Sequence, residues 1–288
     1  MSLPTLPAAV VERVIREALA EDVPFGDLTT ESLVPESSTA QAVLTAREPG
    51  VLSGGPVFAQ TMQALGAEVA VDLALPEGTP FDAGAQLAQI TGPARAILTC
   101  ERVALNLVQR MSGIATLTAE YVAAVQGSAA RVADTRKTTP GLRALERYAV
   151  RCGGGHNHRF GLSDAVLVKD NHLAAVSAAG IGMAQALTEA RQRLPHTVHL
   201  EVEVDRLDQI PAALQGGADT IMLDNFTLED MRRGVELIGG QAAVEASGGV
   251  SLQTIAGIAG TGVDIISVGA LTHSARGLDL GLDFEVSA

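Results

Sequence analysis

Tryptophan is absent from this 288-residue chain, aromatic residues make up only 3% of it, and cysteine occurs twice. Cys100 and Cys152 are too few for a disulfide framework and lack the spacing of a zinc motif, so both read as reduced thiols. So few aromatics exclude the stacking platforms of single-strand binders, and a net charge of −13 excludes the broad basic surface that nucleic acid or an anionic membrane requires. Long hydrophobic runs are missing too: none approaches the roughly 18 apolar residues of a membrane span. The opening segment, MSLPTLPAAVVERVIREALAED, carries charges through its apolar part and has no signal-peptide core. A cytoplasmic protein without nucleic-acid or membrane partners is expected.

What is present is ample core. A hydrophobic fraction of 47% over this length supports one large domain or two smaller ones. Val10, Val11, Val14, Ile15, Ala18 and Leu19 fall on one stripe between Pro7 and Ala20, predicting an amphipathic opening helix. Gln41–Arg47 and AEVAVDLAL read as strands and PVFAQTMQAL as a helix, punctuated by glycines, which suggests an α+β layer domain. Its last element, PARAILTCERVALNLVQRMSG, is a long helix with Pro93 suited to its start and Gly113 to its end. Arg102 lies on it among apolar neighbours, either snorkelling from a core helix or delivered to a pocket at an interface.

After that helix the pattern becomes regular. Apolar, β-branched runs at RVADT, AVLVKD, VHLEVEVD, DTIMLDN, AVEASGG and DIISVGA alternate mostly with helix-length segments, predicting a parallel sheet with right-handed crossovers. Six such units fall short of a closed eight-fold barrel, so an incomplete (open) α/β barrel follows an N-terminal α+β sandwich. The sandwich is placed at 1–112, joined by the tail 274–288, and the barrel at 113–273.

The stretch from Arg131 to His172 gathers Arg131, Arg136, Lys137, Arg143, Arg147, Arg151, Arg159 and Lys169 against Asp134, Glu146, Asp164 and Asp170. In an acidic chain, a Gly-interrupted cationic segment suits a small polyanion. Arg143, Arg147 and Arg151, at helical spacing, read as a solvated helix face. The pieces TRKTTPG and GGGHNHRFG read as loops. Reacting groups in α/β barrels gather at the carboxyl ends of strands. There Arg136 and Lys137 follow the first run, Lys169 the second, Glu203 lies in the third, Asp224 ends the fourth, Ser247-Gly248-Gly249 follows the fifth and Gly269 the sixth. Small residues in SGG and VGA let backbone N–H groups approach a phosphate. Glu203 and Asp224 offer hard oxygens to Mg²⁺ or to ribose hydroxyls. Arg136, Lys137, His158, Arg159 and Lys169 form a cationic cup, whereas His156 reads as a satisfied loop histidine. Lys169 after an apolar run would also suit a Schiff-base lysine, and a non-catalytic anion-binding module is the third class.

The blocks FGDLTT, ERVALNLVQRMSGIAT, DTRKTTPGLR, GGGHNHRFGLSDAVLVKDNH, EVEVD, LDNF, ASGGV and VGALTHS, in this order, resemble the quinolinate phosphoribosyltransferase family from about Glu21 to Phe284. RKTTPG and HNHRFGLSD are the specific ones. The resemblance implies a homodimer, able to assemble further, whose active sites borrow residues across the interface. It makes Arg102, Arg136, His158, Arg159 and Lys169 the cradle for a pyridine dicarboxylate. It assigns phosphoribosyl pyrophosphate to Lys137, Glu203, Asp224, Ser247, Gly248 and Gly269, and counts Thr135, Gly249, Val268 and Ala270 among the substrate-binding residues. Mg²⁺ would lie near Glu203 and Asp224, directly or through the substrate, with no organic cofactor. Lys137, Lys169, Glu203 and Asp224 are the implied catalytic set.

Overall fold

The opening apolar stripe forms α1 (Ala8–Asp22), burying Val11, Val14, Ile15 and Leu19, in a computed structural model that describes residues 3–66 and 68–287. α2 (Leu28–Leu33) is capped by Asp27, whose carboxylate accepts the Thr30 N–H at 3.0 Å. β1 (Thr39–Ala46), β2 (Gly50–Val51), α3 (Gly55–Met62), β3 (Ala70–Leu73), β4 (Pro80–Phe81) and β5 (Gln86–Pro93) lead into the 31-residue α4 (Ala94–Ala124). Then come β6 (Arg131–Ala133), α5 (Arg143–Cys152), β7 (Val166–Val168), α6 (Asp170–Ala178), α7 (Met183–Arg193), β8 (Leu200–Val204) and α8 (Ile210–Gln215). The chain closes with β9 (Thr220–Asp224), α9 (Leu228–Ile238), β10 (Ala243–Ser247), α10 (Ile255–Ala259), β11 (Ile265–Ser267), α11 (Ala270–His273) and β12 (Leu280–Ser287). Among the described residues no helix is long and apolar enough to cross a membrane.

The elements form two compact units, one of Met1–Ala119, Thr138–Gly154 and Leu271–Ala288, the other of Glu120–Lys137 and Gly155–Ala270. In the first, an antiparallel sheet runs in the order β12-β1-β5-β3, with β12 paired to β1 from Thr39↔Ser287 to Ala46↔Leu280. Ala40, Ala42, Leu44 and Ala46 alternate into the core, where Phe58 and Met62 of α3 and Ile97, Cys100, Ala104, Val108 and Met111 of α4 meet Leu87 and Ile90. The α4 set recurs every three or four residues, and the burial of Val103, Leu105, Leu107, Ile114 and Ala115 as well shows that the helix is covered on more than one face.

Two sequence readings change here. Gly113 does not end the long helix, which continues to Ala124. A Cβ at Gly113 would stand 2.0 Å from the Arg276 carbonyl oxygen, so the glycine is needed for a backbone crossing and not for a stop. Nor is α5 a solvated face: Arg147 is buried, and Glu146 beside it is 1% exposed. Arg110 of α4 donates to the Glu146 carboxylate at 2.8 and 3.1 Å and to the Ala275 carbonyl at 2.6 Å, while Thr139 N–H donates to the other Glu146 oxygen. The helical spacing of the arginines was right, but the intervening acid is the buried partner of a cation on another helix.

In the second unit six strands run parallel in the order β6-β11-β10-β9-β8-β7. β6 and β7, three residues each, are the edges, and the sheet is therefore an open barrel. Beside β6 the chain makes a single bridge between Ala133 and His156, with His156 N–H donating to the Val132 carbonyl at 2.8 Å.

Candidate active site

Strand alternation decides which side chains face the barrel interior. On β8 Leu200, Val202 and Val204 are buried on one face, leaving Glu201 and Glu203 on the other. The inward positions separate into two layers. Glu203, Met222, Asp224, Ser247 and Ser267 line a cavity of about 560 Å³ at the carboxyl ends of the strands. Glu201, Thr220, Glu245 and Ile265, one inward step earlier, line a second cavity of about 350 Å³. His158 and Arg159 border both.

The loop carrying them is fixed by a residue that sequence reasoning passed over. Asp134, fully buried just after β6, accepts from Asn157 Nδ2 at 2.6 Å and from His158 N–H at 2.8 Å, while its own N–H donates to the His156 carbonyl at 3.0 Å. A buried carboxylate needs such donors. Its placement brings Arg159 into the same cavity as Thr135, Arg136 and Lys137, the continuation of β6. Burial and the neighbouring Arg136 guanidinium both pull Arg159 below its ordinary pKa. Two like charges brought together in this way are suited to an anion that accepts from both.

Lys169, at the N-cap of α6, is ion-paired with Glu203 across β7 and β8, and its backbone N–H donates to His172 Nδ1 at 2.9 Å. Asp224 accepts from Asn225 Nδ2 at 2.8 Å. After β10, Gly248 and Gly249 have φ of +89° and +59°, values that favour glycine; a Cβ on Gly248 would stand 2.2 Å from Asn225 Oδ1. Asn225 has φ +58° itself, making it the positive-φ non-glycine among the described residues. Glu203, Asp224 and Asn225 also border an adjoining cavity of about 680 Å³.

Thr135, Arg136, Lys137, His158, Arg159, Lys169, Glu203, Asp224, Ser247, Gly248 and Gly249 thus meet around one cavity. Val268, Gly269 and Ala270 are not among its lining residues; the Val268 side chain is fully buried and its N–H donates to the Ala133 carbonyl at 2.8 Å. Arg102 is exposed on α4 and belongs to the first unit. His158 is bound on both ring nitrogens: Nε2 lies 3.0 Å from Glu201 and 3.6 Å from Glu245, and Nδ1 accepts the Arg159 N–H at 2.7 Å. Burial lowers its pKa, but Glu201, Glu245 and Asp134 outweigh burial and raise it. The N–H aimed at Nδ1 opposes that, because an imidazolium has no lone pair there. At 2.7 Å this contact decides for the neutral ring with its proton on Nε2.

Glu201 and Glu245 were also missed, although i, i+2 spacing from Glu203 and Ser247 puts each on the inward face. With His158 they form a buried three-donor group, whereas Glu203 and Asp224 do not belong to it. Glu203 already has Lys169 as its counter-charge. The upper layer therefore offers two carboxylates, Asn225 and Ser247, a hard-oxygen set that fits a divalent cation carried mainly by a substrate's phosphates. Cys100 and Cys152 are buried free thiols, pushed by burial to about 11 and about 12.

Family models for the N-terminal and C-terminal domains of quinolinate phosphoribosyl transferase match residues 27–112 and 114–283. A nicotinate-nucleotide pyrophosphorylase [carboxylating] from Mycobacterium leprae is 45% identical over 275 residues, covering 93% of this chain and 95% of that protein. The human protein of that name is 40% identical, covering 96% and 92%. Among solved structures, NadC from Streptococcus pyogenes superposes with a TM-score of 0.92 at 41% identity, over 98% of this chain and 99% of that one. The nicotinate-nucleotide pyrophosphorylase from Francisella tularensis gives 0.91 at 38%, covering 99% of each.

Proposed function

The chain belongs to the quinolinate phosphoribosyltransferase family, and from that premise we propose that it joins quinolinate to phosphoribosyl pyrophosphate in NAD biosynthesis. The products are nicotinate mononucleotide, pyrophosphate and CO₂. The observation that carries the substrate assignment is the convergence of Arg136 and Arg159 in one cavity whose far wall holds Glu203, Asp224 and the Gly248-Gly249 turn. Forked guanidiniums suit planar carboxylates, and the glycine turn suits a phosphate.

In this reading Arg136 and Arg159 hold the pyridine by its carboxylates, with Lys169 beside the carboxylate that departs, so that the ring nitrogen faces the anomeric carbon of the phosphoribosyl group. The C–O bond to pyrophosphate breaks with its electron pair on the leaving group, and the nitrogen lone pair forms the new N–C bond. The site need supply no strong base; it orients, neutralises and excludes water. The resulting pyridinium accepts the electron pair left when the C2–carboxylate bond breaks and CO₂ departs; C2 then takes up a proton. Mg²⁺, when bound with phosphoribosyl pyrophosphate, would neutralise pyrophosphate charge, and Glu203 and Asp224 are the residues that would hold it, directly or through water. Lys137 and the backbone of Ser247, Gly248 and Gly249 would take the phosphates.

The working form is a homodimer, with each site completed by Arg102 from the partner. Phe25, Leu28 and Leu33 in the first unit and Phe160 and Leu162 in the second are large apolar side chains more than half exposed, which supports apposed surfaces. A cytoplasmic location suits the buried free thiols. The test is direct: protein, Mg²⁺, quinolinate and phosphoribosyl pyrophosphate should release CO₂ and form nicotinate mononucleotide, while nicotinate should turn over poorly because it lacks the second carboxylate that two guanidiniums in one cavity suit. Equal turnover of nicotinate would remove the reason for assigning the two arginines to a dicarboxylate.

A further inference from the structure

Arg136 and Lys137 line the cavity from a loop, RKTTPG, that is fixed by residues which do not line it. Ahead of the loop, Lys137 N–H donates to Thr135 Oγ1 at 3.1 Å. Beyond Lys137 the loop meets the first turn of α5, where Arg143 and Glu146, three residues apart, share a helix face. Arg143 Nε donates to Thr138 Oγ1 at 2.9 Å, and Glu146 Oε2 accepts the Thr139 N–H at 3.1 Å. Glu146 is 1% exposed, and its other oxygen accepts from Arg110 Nε and Nη2 at 3.1 and 2.8 Å. The guanidinium is itself held by the carbonyls of Thr272 and Ala275. We propose that Glu146 is a positioning residue for the reaction, aimed by Arg110 at the Thr139 N–H so that the backbone carrying Arg136 and Lys137 is set before either substrate arrives.

The residue types fit that task. Arg110 spans a carboxylate and two carbonyls with the fork of its guanidinium; a lysine would keep the charge and lose the span. A buried ion pair adds little net stability over an apolar pair of the same size, but it fixes directions that apolar side chains cannot. Thr139 lies two positions after Lys137 and three after Arg136, so its anchor limits the loop that presents both. Without the anchor the loop exchanges between the set form and a loosened one. Substrates bind the set form, so a smaller population of it raises KM by the same factor, while saturating substrates draw the loop back and leave kcat almost unchanged. A hydrogen bond to a carboxylate is worth roughly tenfold or more in such an equilibrium.

The inference rests on the assignment of Arg136 and Lys137 to the two substrates, so wild-type turnover is measured first; its absence refutes that reading and not the anchor. Glu146→Gln keeps the size of the side chain. With Arg110 still opposite, however, the amide oxygen turns to the guanidinium and the NH₂ group to the Thr139 N–H, donor against donor. The KM for phosphoribosyl pyrophosphate should rise roughly tenfold or more, and that for quinolinate by less because Arg159 and Lys169 are also assigned to it, with kcat within about threefold. Adding Arg110→Met frees the amide oxygen for the Thr139 N–H but takes the guanidinium from the Thr272 and Ala275 carbonyls. Arg110→Met/Glu146→Gln should therefore melt no higher than Glu146→Gln and yet recover a phosphoribosyl pyrophosphate KM within about threefold of wild type. A pair that served only the fold would lose KM and stability together. If the double variant does not fold, hydrogen exchange at the Thr139 amide, taken relative to the amides of α3, decides: exchange roughly tenfold faster in Glu146→Gln supports the anchor. An unchanged KM in folded Glu146→Gln, a folded double variant whose KM stays raised, or unchanged exchange at Thr139 overturns the proposal.

Discussion

Replacing Gly248 by alanine would strike the turn assigned to phosphate, and the structure lets the effect be sized. At φ +89° an alanine costs about 1–2 kcal/mol for its backbone alone. Its Cβ would then lie 2.2 Å from Asn225 Oδ1 and 2.8 Å from the Asn225 nitrogen, so either the turn or Asn225 must move. Overpacking of that kind adds roughly 1–3 kcal/mol. Asn225 resists the shift because its N–H donates to the Ser247 carbonyl at 3.0 Å and its amide holds Asp224. The summed loss of about 2–5 kcal/mol corresponds, for a chain of this length, to a melting temperature lower by roughly 3–8 °C. Losing one backbone hydrogen bond to a charged phosphate, worth about 1.5–3 kcal/mol, should raise the phosphoribosyl pyrophosphate Kd by roughly 10- to 150-fold. Quinolinate binding, measured by calorimetry, should change by less than about threefold, since ~0.6 kcal/mol is all that separates those values. Gly249→Ala is the internal control: no atom lies within 4 Å of its Cβ, so only the backbone cost at φ +59° applies. If Gly248→Ala melts like Gly249→Ala and binds phosphoribosyl pyrophosphate like the wild type, the assignment of this turn to phosphate is wrong.

Arg102→Ala and Lys169→Ala should each be nearly inactive alone, yet mixing them with subunit exchange should restore about one quarter of wild-type sites, since one site of each heterodimer is intact; exchange verified by mass spectrometry without recovered activity would show that Arg102 serves its own chain. Gly113→Ala should fold poorly or lose several °C in melting temperature, because its Cβ would lie 2.0 Å from the Arg276 carbonyl oxygen; an unchanged melt would mean the crossing relaxes freely. Stability should also depend on pH through Glu245. Burial raises its folded pKa, so between the ordinary carboxyl range and that raised value the folded chain keeps a proton the unfolded chain has released, and stability falls as pH rises. Glu245→Gln should therefore flatten the decline in melting temperature between pH 5.5 and 8.5, and a wild-type decline matched by the variant would argue against a proton held there.

The alternation of apolar runs made the barrel legible, because each strand is a β-branched cluster ended by a polar residue. Arg136, Lys169 and Ser247 were found by reading just past a run, Asp224 at the end of one and Glu203 near the end of another. What that procedure could not find lies one step before: Glu201 and Glu245 sit inside apolar runs, where only strict two-residue alternation marks them as inward. Asp134 looked like a minor offset to nearby cations, since its partners, the Asn157 side-chain amide, the His158 N–H and the His156 carbonyl, lie 22 to 24 positions away. Gly113 misled for a similar reason. A helix-ending glycine and one required by a crossing backbone look alike until the crossing segment, 163 residues on, is seen. His158 was legible as a site residue, but its neutral, doubly bound state depends on contacts that sequence does not reveal.

The pairing of β12 with β1 also sets an order of events during synthesis. β1 leaves the ribosome with one flanking neighbour, β5, to follow about forty residues later, but its other flank stays open until Leu280–Ser287 emerge. All six parallel strands are made in that interval, and β7 to β11 each find a neighbour within a few dozen residues, while β6 waits for β11. Loop closure over so many residues costs little more in entropy than over half as many, but it is slow to find. The unit that holds the earliest residues is therefore among the last to be completed, and a nascent chain released short of β12 presents the open edge of β1 to other chains.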